Sequence, residues 1–125
     1  MGNNNEGSEQ WDKVETMLKE RFGKTPDLQA ILFLIGIQEL GQPNRKFTKE
    51  QKQDLMHIAV CTLLSRSGYY QLDGYDKDGW PHFTELMKVT GMDLKEQEDF
   101  LKQHVIAYFE ENGNLIDIDT THANH

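Results

Sequence analysis

The apolar positions of the chain fall into four helical runs and one stretch of a different kind. Trp11, Val14, Leu18 and Phe22 recur at intervals of three and four, with Met17 widening the stripe. That spacing predicts an amphipathic helix from Ser8, as its cap, to about Phe22, stopped by Gly23. Leu28 to Leu40 reads LQAILFLIGIQEL, with only Gln29, Gln38 and Glu39 polar. A helix apolar on all sides is a buried one, so this segment is expected to be the hub of the domain. Thr25 is its expected cap, with Pro26 and Asp27 in the first turn. Gly36 in mid-helix costs about 1 kcal/mol relative to Ala, which predicts a close helix crossing there.

A third helix is expected from Thr48, which has Gln51 at capping-box spacing. Its predicted buried face is Leu55, Met56, Ala59, Val60, Leu63 and Leu64. The pattern then changes. Tyr69 to Phe83 reads YYQLDGYDKDGWPHF, with aromatics flanking a DKDG turn and few helix formers. This predicts a β-hairpin with Gly79 at the position needing positive φ and Tyr75 near Trp80 across the strands. A short helical turn is expected over Thr84 to Val89. A last helix should start from Asp93 and Glu96, a second capping-box pair, and end at Gly113. Its stripe is Leu94, Leu101, Val105, Tyr108 and Phe109, broadened by Phe100 and Ile106.

The expected fold is therefore mainly α: a compact bundle of four to five helices with a β-hairpin inserted around 69–83. Residues 1–7, rich in Asn and Gly, are expected to be disordered, 8–113 to form one helical domain, and 114–125 to be a polar tail, loose or weakly ordered. With 125 residues, a core of this size can fold without disulfides or metal.

Charge and cysteine content narrow the function classes. The net charge of −8 argues against general nucleic-acid binding, which needs a basic face. Arg45, Lys46, Lys49 and Lys52 form a small basic cluster, read first as a solvated helix face and otherwise as a contact for an acidic partner. Cys61 is the only cysteine, which excludes an intrachain disulfide. The start of the chain has neither a basic region nor an apolar run of signal-peptide type, and Leu28 to Leu40 is too short to span a bilayer. A cytoplasmic protein with no membrane association is expected, and nothing in the sequence points to a cofactor.

Three constellations carry candidate chemistry. Asp76, Asp78, Gly79 and Glu85 match part of an EF-hand calcium loop, but Gly74 stands at the first ligand position and Pro81 where the loops would pair. A turn built from Asp and Gly is the simpler reading. Asp54, His57 and Cys61 share a helix face and, with Glu39, could line a pocket of a small enzyme or ligand-binding protein. A closed zinc site needs more Cys or His than lies nearby. The aromatic hairpin residues Tyr69, Tyr70, Tyr75, Trp80 and Phe83 exceed what a short hairpin needs for itself, and Tyr and Trp are favoured in binding hot spots. With no complete catalytic set, the leading expectation is a non-enzymatic module that binds a protein partner or forms a homodimer through the hairpin.

The run KFTKEQKQDLMHIAVCTLLSRSGYYQLDGYDKDGWPHF, with ILFLIGIQELG upstream, resembles a family of small conserved hypothetical proteins of the Bacteroidetes type, over about Trp11 to Phe109. The resemblance implies one ordered domain and no assigned activity.

Overall fold

A computed structural model of the chain describes residues 2–24, 26–42 and 45–111. It contains four helices, α1 (Gly2–Phe22), α2 (Leu28–Leu40), α3 (Lys49–Ser65) and α4 (Leu94–Glu111). Between α3 and α4 lies an antiparallel hairpin of β1 (Tyr70–Tyr75) and β2 (Pro81–Glu85). The architecture is thus a mainly α bundle with an inserted β-hairpin. The expected tail at 114–125 and the helix stop at Gly113 lie outside the described residues.

Local chemistry accounts for most of the boundaries. The Thr48 hydroxyl accepts from the Gln51 amide at 3.1 Å, and the Gln51 side chain accepts from the Thr48 amide at 3.0 Å. Two of the orphan donors at the start of α3 are thereby satisfied. Asp93 and Glu96 make the same reciprocal pair at the start of α4, at 2.8 and 3.0 Å. At α2 the cap is Asp27, not Thr25: its carboxylate accepts from the Ala30 amide at 2.8 Å. Aspartate caps at least as well as threonine, and with Asp27 as cap Pro26 lies just outside the helix. α1 also differs from expectation. It begins at Gly2, so residues 2–7 are helical and Ser8 lies inside the helix. Extending an existing helix adds a hydrogen bond for each residue fixed, which offsets weak propensities.

The core joins Val14 and Leu18 of α1, Ile31, Ile35 and Leu40 of α2, Leu55 and Leu63 of α3, and Val105 and Phe109 of α4. α3, not α2, is the element that touches most of the others, packing on α2, both strands and α4. The apolar surface of α2 records how deeply it is buried, not how many elements surround it. α1 packs chiefly on α4 despite its short connection to α2. α2 and α3 meet closely at Gly36: a Cβ there would lie 2.2 Å from the Leu55 carbonyl oxygen. The close crossing expected from this glycine is present.

The helical turn expected over Thr84 to Val89 does not form. β2 continues to Glu85 opposite Tyr70, and the Leu86 and Met87 amides then donate to the Tyr69 carbonyl. Thr84 and Glu85, the first residues of the expected turn, are held extended by pairing with Gln71 and Tyr70, and an extended backbone cannot begin a helix.

Candidate functional site

The hairpin is organised by its turn. The Asp76 amide donates to the Trp80 carbonyl, and the Gly79 amide donates to the Asp76 carbonyl, both at 3.0 Å. The Asp76 carboxylate accepts from the amides of Asp78 at 2.9 Å and Trp80 at 3.0 Å. Gly79 has φ of +89°, which L side chains rarely adopt. His82 Nε2 sits 3.0 Å from the other Asp76 oxygen. That contact, with the Trp80 and Asp78 amides behind it, holds the Asp76 carboxyl below the usual aspartate value. A bulge between Leu72 and Gly74 puts Gly74 opposite His82 and Tyr75 opposite Pro81. Asp73, the bulged residue, accepts from the Thr84 hydroxyl.

The hairpin aromatics divide into those that dock it and one that does not. Trp80 meets the edge of Phe47 with centroids 6.3 Å apart, and Phe47 meets Phe33 of α2 at 6.4 Å. The Arg45 guanidinium lies over both Phe47 and Trp80, at 5.4 and 5.6 Å. Trp80 is therefore held by the α2–α3 loop, and its expected neighbour Tyr75 instead pairs with Pro81. At the other end of the hairpin Tyr69 packs on Phe100 of α4 and Tyr70 on His57 of α3. Phe83 is half-buried against the core. Tyr75 is the exception, largely exposed.

Tyr75 has company that the sequence did not single out. The exposed large hydrophobic residues among those described are Leu72, Tyr75, Leu86, Met87 and Leu94, each between 43% and 83% exposed. All five lie between residues 72 and 94, on β1, in the segment joining β2 to α4 and at the first residue of α4. Leu94 was expected in the core stripe of α4. It starts the helix beyond the reach of the bundle, and the buried part of α4 begins only at Val105. Beside this segment a groove of about 370 Å³ runs between α3, the base of the hairpin and α4, walled by Val60, Leu64, Val89, Phe100 and Leu101. Glu85 and Lys88, paired at 3.2 Å, stand at its edge with the Tyr70 ring. Burial, and then the nearby Cys61 and Glu85, raise the Tyr70 phenol above its ordinary value.

Of the four residues proposed for a shared pocket, Asp54, His57 and Cys61 stay close together on α3, and Glu39 is engaged elsewhere. Glu39 accepts from the Tyr108 hydroxyl of α4 at 2.7 Å. Burial, reinforced by that bond, pushes the Tyr108 phenol well up. Asp54 and His57 face a second cleft, of about 400 Å³, whose other wall is the hairpin turn with Asp76, Trp80 and His82. Cys61 is buried, with its sulfur 3.5 Å from His57 Nε2. Burial, and secondarily Glu85, push its thiol up to about 11. A buried thiol that resists ionisation is a poor nucleophile.

The partial calcium loop is likewise taken apart. Glu85 is four strand residues from Pro81, about 13 Å along β2, and pairs with Lys88. Asp76 is turned inward on its own amides. Among the described residues no group of three or more His, Cys, Asp and Glu is placed to hold a metal ion. Nor, among them, is any helix long and apolar enough to cross a membrane.

No family model, curated protein or solved structure matches the chain.

Proposed function

We propose that the domain is a non-enzymatic protein-interaction module, with the outer side of the hairpin and the segment leading into α4 as its docking surface. One observation carries this reading: the exposed large apolar side chains among the described residues are confined to 72–94. Single exposed apolar residues are ordinary; that all five fall on the hairpin and the stretch leading into α4 supports reading this part of the chain as a contact surface. The hairpin is also anchored at both ends, by Trp80 on Phe47 and by Tyr69 on Phe100, so Leu72 and Tyr75 are presented on a fixed support. Preorganisation of that kind lowers the ordering cost of binding. The net charge of −8 favours a protein partner over nucleic acid.

The test is capture from native cells by the tagged domain and by a triple variant, Tyr75→Lys, Met87→Lys and Leu94→Lys. These side chains are exposed, so the variant should melt at the temperature of the parent. A partner or second copy recovered by the parent and lost by the variant is the expected result. Equal recovery by both removes the surface from consideration.

A further inference from the structure

The chain holds two Asp-Gly pairs, Asp73-Gly74 and Asp78-Gly79, and both fall in the hairpin. Such a pair has a covalent chemistry of its own. The main-chain nitrogen that follows an aspartate can attack the side-chain carboxyl and close a succinimide ring. A glycine at the second position favours closure, because no Cβ obstructs the nitrogen and the backbone is the least restricted. In a folded protein the reaction further requires a carboxyl that is free to turn and a local backbone that can open.

The two pairs differ in both respects. The Asp73 carboxylate accepts from the Thr84 hydroxyl of the facing strand. Leu72 paired with Phe83, and Gly74 paired with His82, close the ladder on either side of it. Phe83 is in turn packed against the core. Bringing the Asp73 carboxyl onto the Gly74 nitrogen therefore breaks a bond across the strands and opens a docked ladder. Asp78 stands in the turn instead. It is exposed, and its carboxylate makes no hydrogen bond or ion pair with another described residue. The nitrogen it would meet is restrained by one bond, from the Gly79 amide to the Asp76 carbonyl at 3.0 Å. Hydrogen bonds of an exposed turn open at low free energy, whereas those of a packed ladder open only in larger unfolding events.

We infer that Asp78 is a site of spontaneous isomerisation to isoaspartate, and that the fold protects Asp73 from the same reaction. The Gly79 nitrogen bonds to the side-chain carboxyl carbon of Asp78. The carboxyl hydroxyl leaves together with the amide proton as one water. Water then adds to either carbonyl of the ring and breaks its bond to the nitrogen. Opening at the former side-chain carbonyl restores aspartate. Opening at the former main-chain carbonyl leaves the chain running through the Asp78 β-carbon, with the old carbonyl now a carboxylate. Mass is unchanged overall, and no oxidant, reductant or other reactant takes part. The turn would feel the change at once. An added methylene before Gly79 displaces the Gly79 and Trp80 amides from Asp76, which each now meets at 3.0 Å. The Asp78 carbonyl, to which the Gln42 side chain donates at 3.4 Å, leaves the backbone. Isomerisation should thus loosen the turn end of the hairpin and leave the Tyr69 end docked on Phe100.

Ageing of the full chain at physiological temperature and neutral pH tests this. Peptide mapping with electron-transfer fragmentation then locates isoaspartate residue by residue. The folded chain should accumulate it at position 78 and not at position 73. The chain held unfolded in urea should form it at both, since each pair is reactive once the fold is removed. Asp78→Glu should abolish the product at 78, because the longer side chain would have to close a larger ring. Isoaspartate arising from Asn112, which also precedes a glycine, maps to another peptide and carries a gain in mass. The isolated product should exchange its Trp80 amide hydrogen faster than the parent, with the helices as protected as before.

A folded chain that forms no isoaspartate at 78 over the time in which the unfolded chain forms it at both positions would overturn the assignment, as would a chain that forms none in either state. Equal product at 73 and 78 in the folded chain would overturn the protection ascribed to Thr84 and the ladder. None of these outcomes bears on the protein-interaction reading, which rests on other residues.

Discussion

Replacing Gly36 with alanine reverses a familiar sign. In an open helix the change raises stability by about 1 kcal/mol, because glycine has the larger conformational entropy to lose. Here the new methyl carbon would lie 2.2 Å from the Leu55 carbonyl oxygen, 2.7 Å from its carbonyl carbon and 3.0 Å from its Cβ. Ordinary contact begins near 3.4 Å, so α2 and α3 must separate by about 1 Å. The obstructing atoms are backbone within a helix and cannot swing aside as a side-chain tip would. Overpacking of this kind typically costs about 1–3 kcal/mol. A gap of 0.5–1 Å elsewhere along the crossing forfeits roughly a quarter to a half of the dispersion energy of each separated contact. Together these should exceed the gain in propensity and leave a net loss of about 2 kcal/mol. With a urea dependence of about 1–3 kcal/mol per molar, the unfolding midpoint falls by roughly 1 M. Far-UV circular dichroism in urea gives the answer. An alanine variant as stable as the parent, or more stable, would refute the close crossing.

Other expectations follow from single contacts. Tyr108→Phe removes the hydroxyl donated to Glu39 and should cost about 1–2 kcal/mol, since that bond is to a charged acceptor at a half-buried site. A double-mutant cycle with Glu39→Gln that shows no coupling would contradict it. Asp76→Ala removes the acceptor for two turn amides, so hydrogen exchange at Asp78 and Trp80 should speed up while the helices keep their protection. Because the Asp76 pKa is depressed, its contribution is present above the ordinary carboxylate range and is lost as pH falls below it; unchanged protection of the Asp78 and Trp80 amides in acid, relative to their intrinsic exchange rates, would count against the turn as described. Cys61 has a raised pKa, so the stability its neutral thiol provides is complete below pH 9.0 and is lost as pH rises towards about 11. The urea midpoint should therefore fall less between neutral and alkaline pH in Cys61→Ala than in the parent, and an equal fall would contradict the buried assignment.

Much of the fold was legible because its signals are local. Thr48 with Gln51 and Asp93 with Glu96 mark helix starts by spacing alone, and each makes its reciprocal bonds. The DKDG turn needs one positive φ, which Gly79 supplies. Gly36 was conspicuous because a mid-helix glycine is expensive. What periodicity could not express is where neighbours stop. Leu94 continues the spacing of the α4 stripe yet projects past the bundle, since a stripe carries no information about its partner's length. The central place of α3 was hidden for a related reason, because contacts with four other elements leave no mark on its own sequence. Glu39 and Tyr108 are 69 residues apart, and nothing near either of them announces the bond. At the candidate site the aromatic hairpin stood out, but its composition could not separate the rings that anchor it from the side chains it presents. Only Tyr75 among the nominated residues is strongly exposed, while Leu72, Leu86, Met87 and Leu94 come from positions without any motif.

Site-specific photocrosslinking in native cells examines the proposed docking surface most directly. A photoreactive phenylalanine analogue at Met87 is compared with one at Gln53, an exposed polar position on α3 outside the segment 72–94. The account predicts that the probe at position 87 traps a discrete protein species, either a second copy or a distinct partner, and that prior substitution of Leu94 by Lys abolishes the product. Trapping of equal strength at position 53 and position 87, or none at position 87, would contradict it.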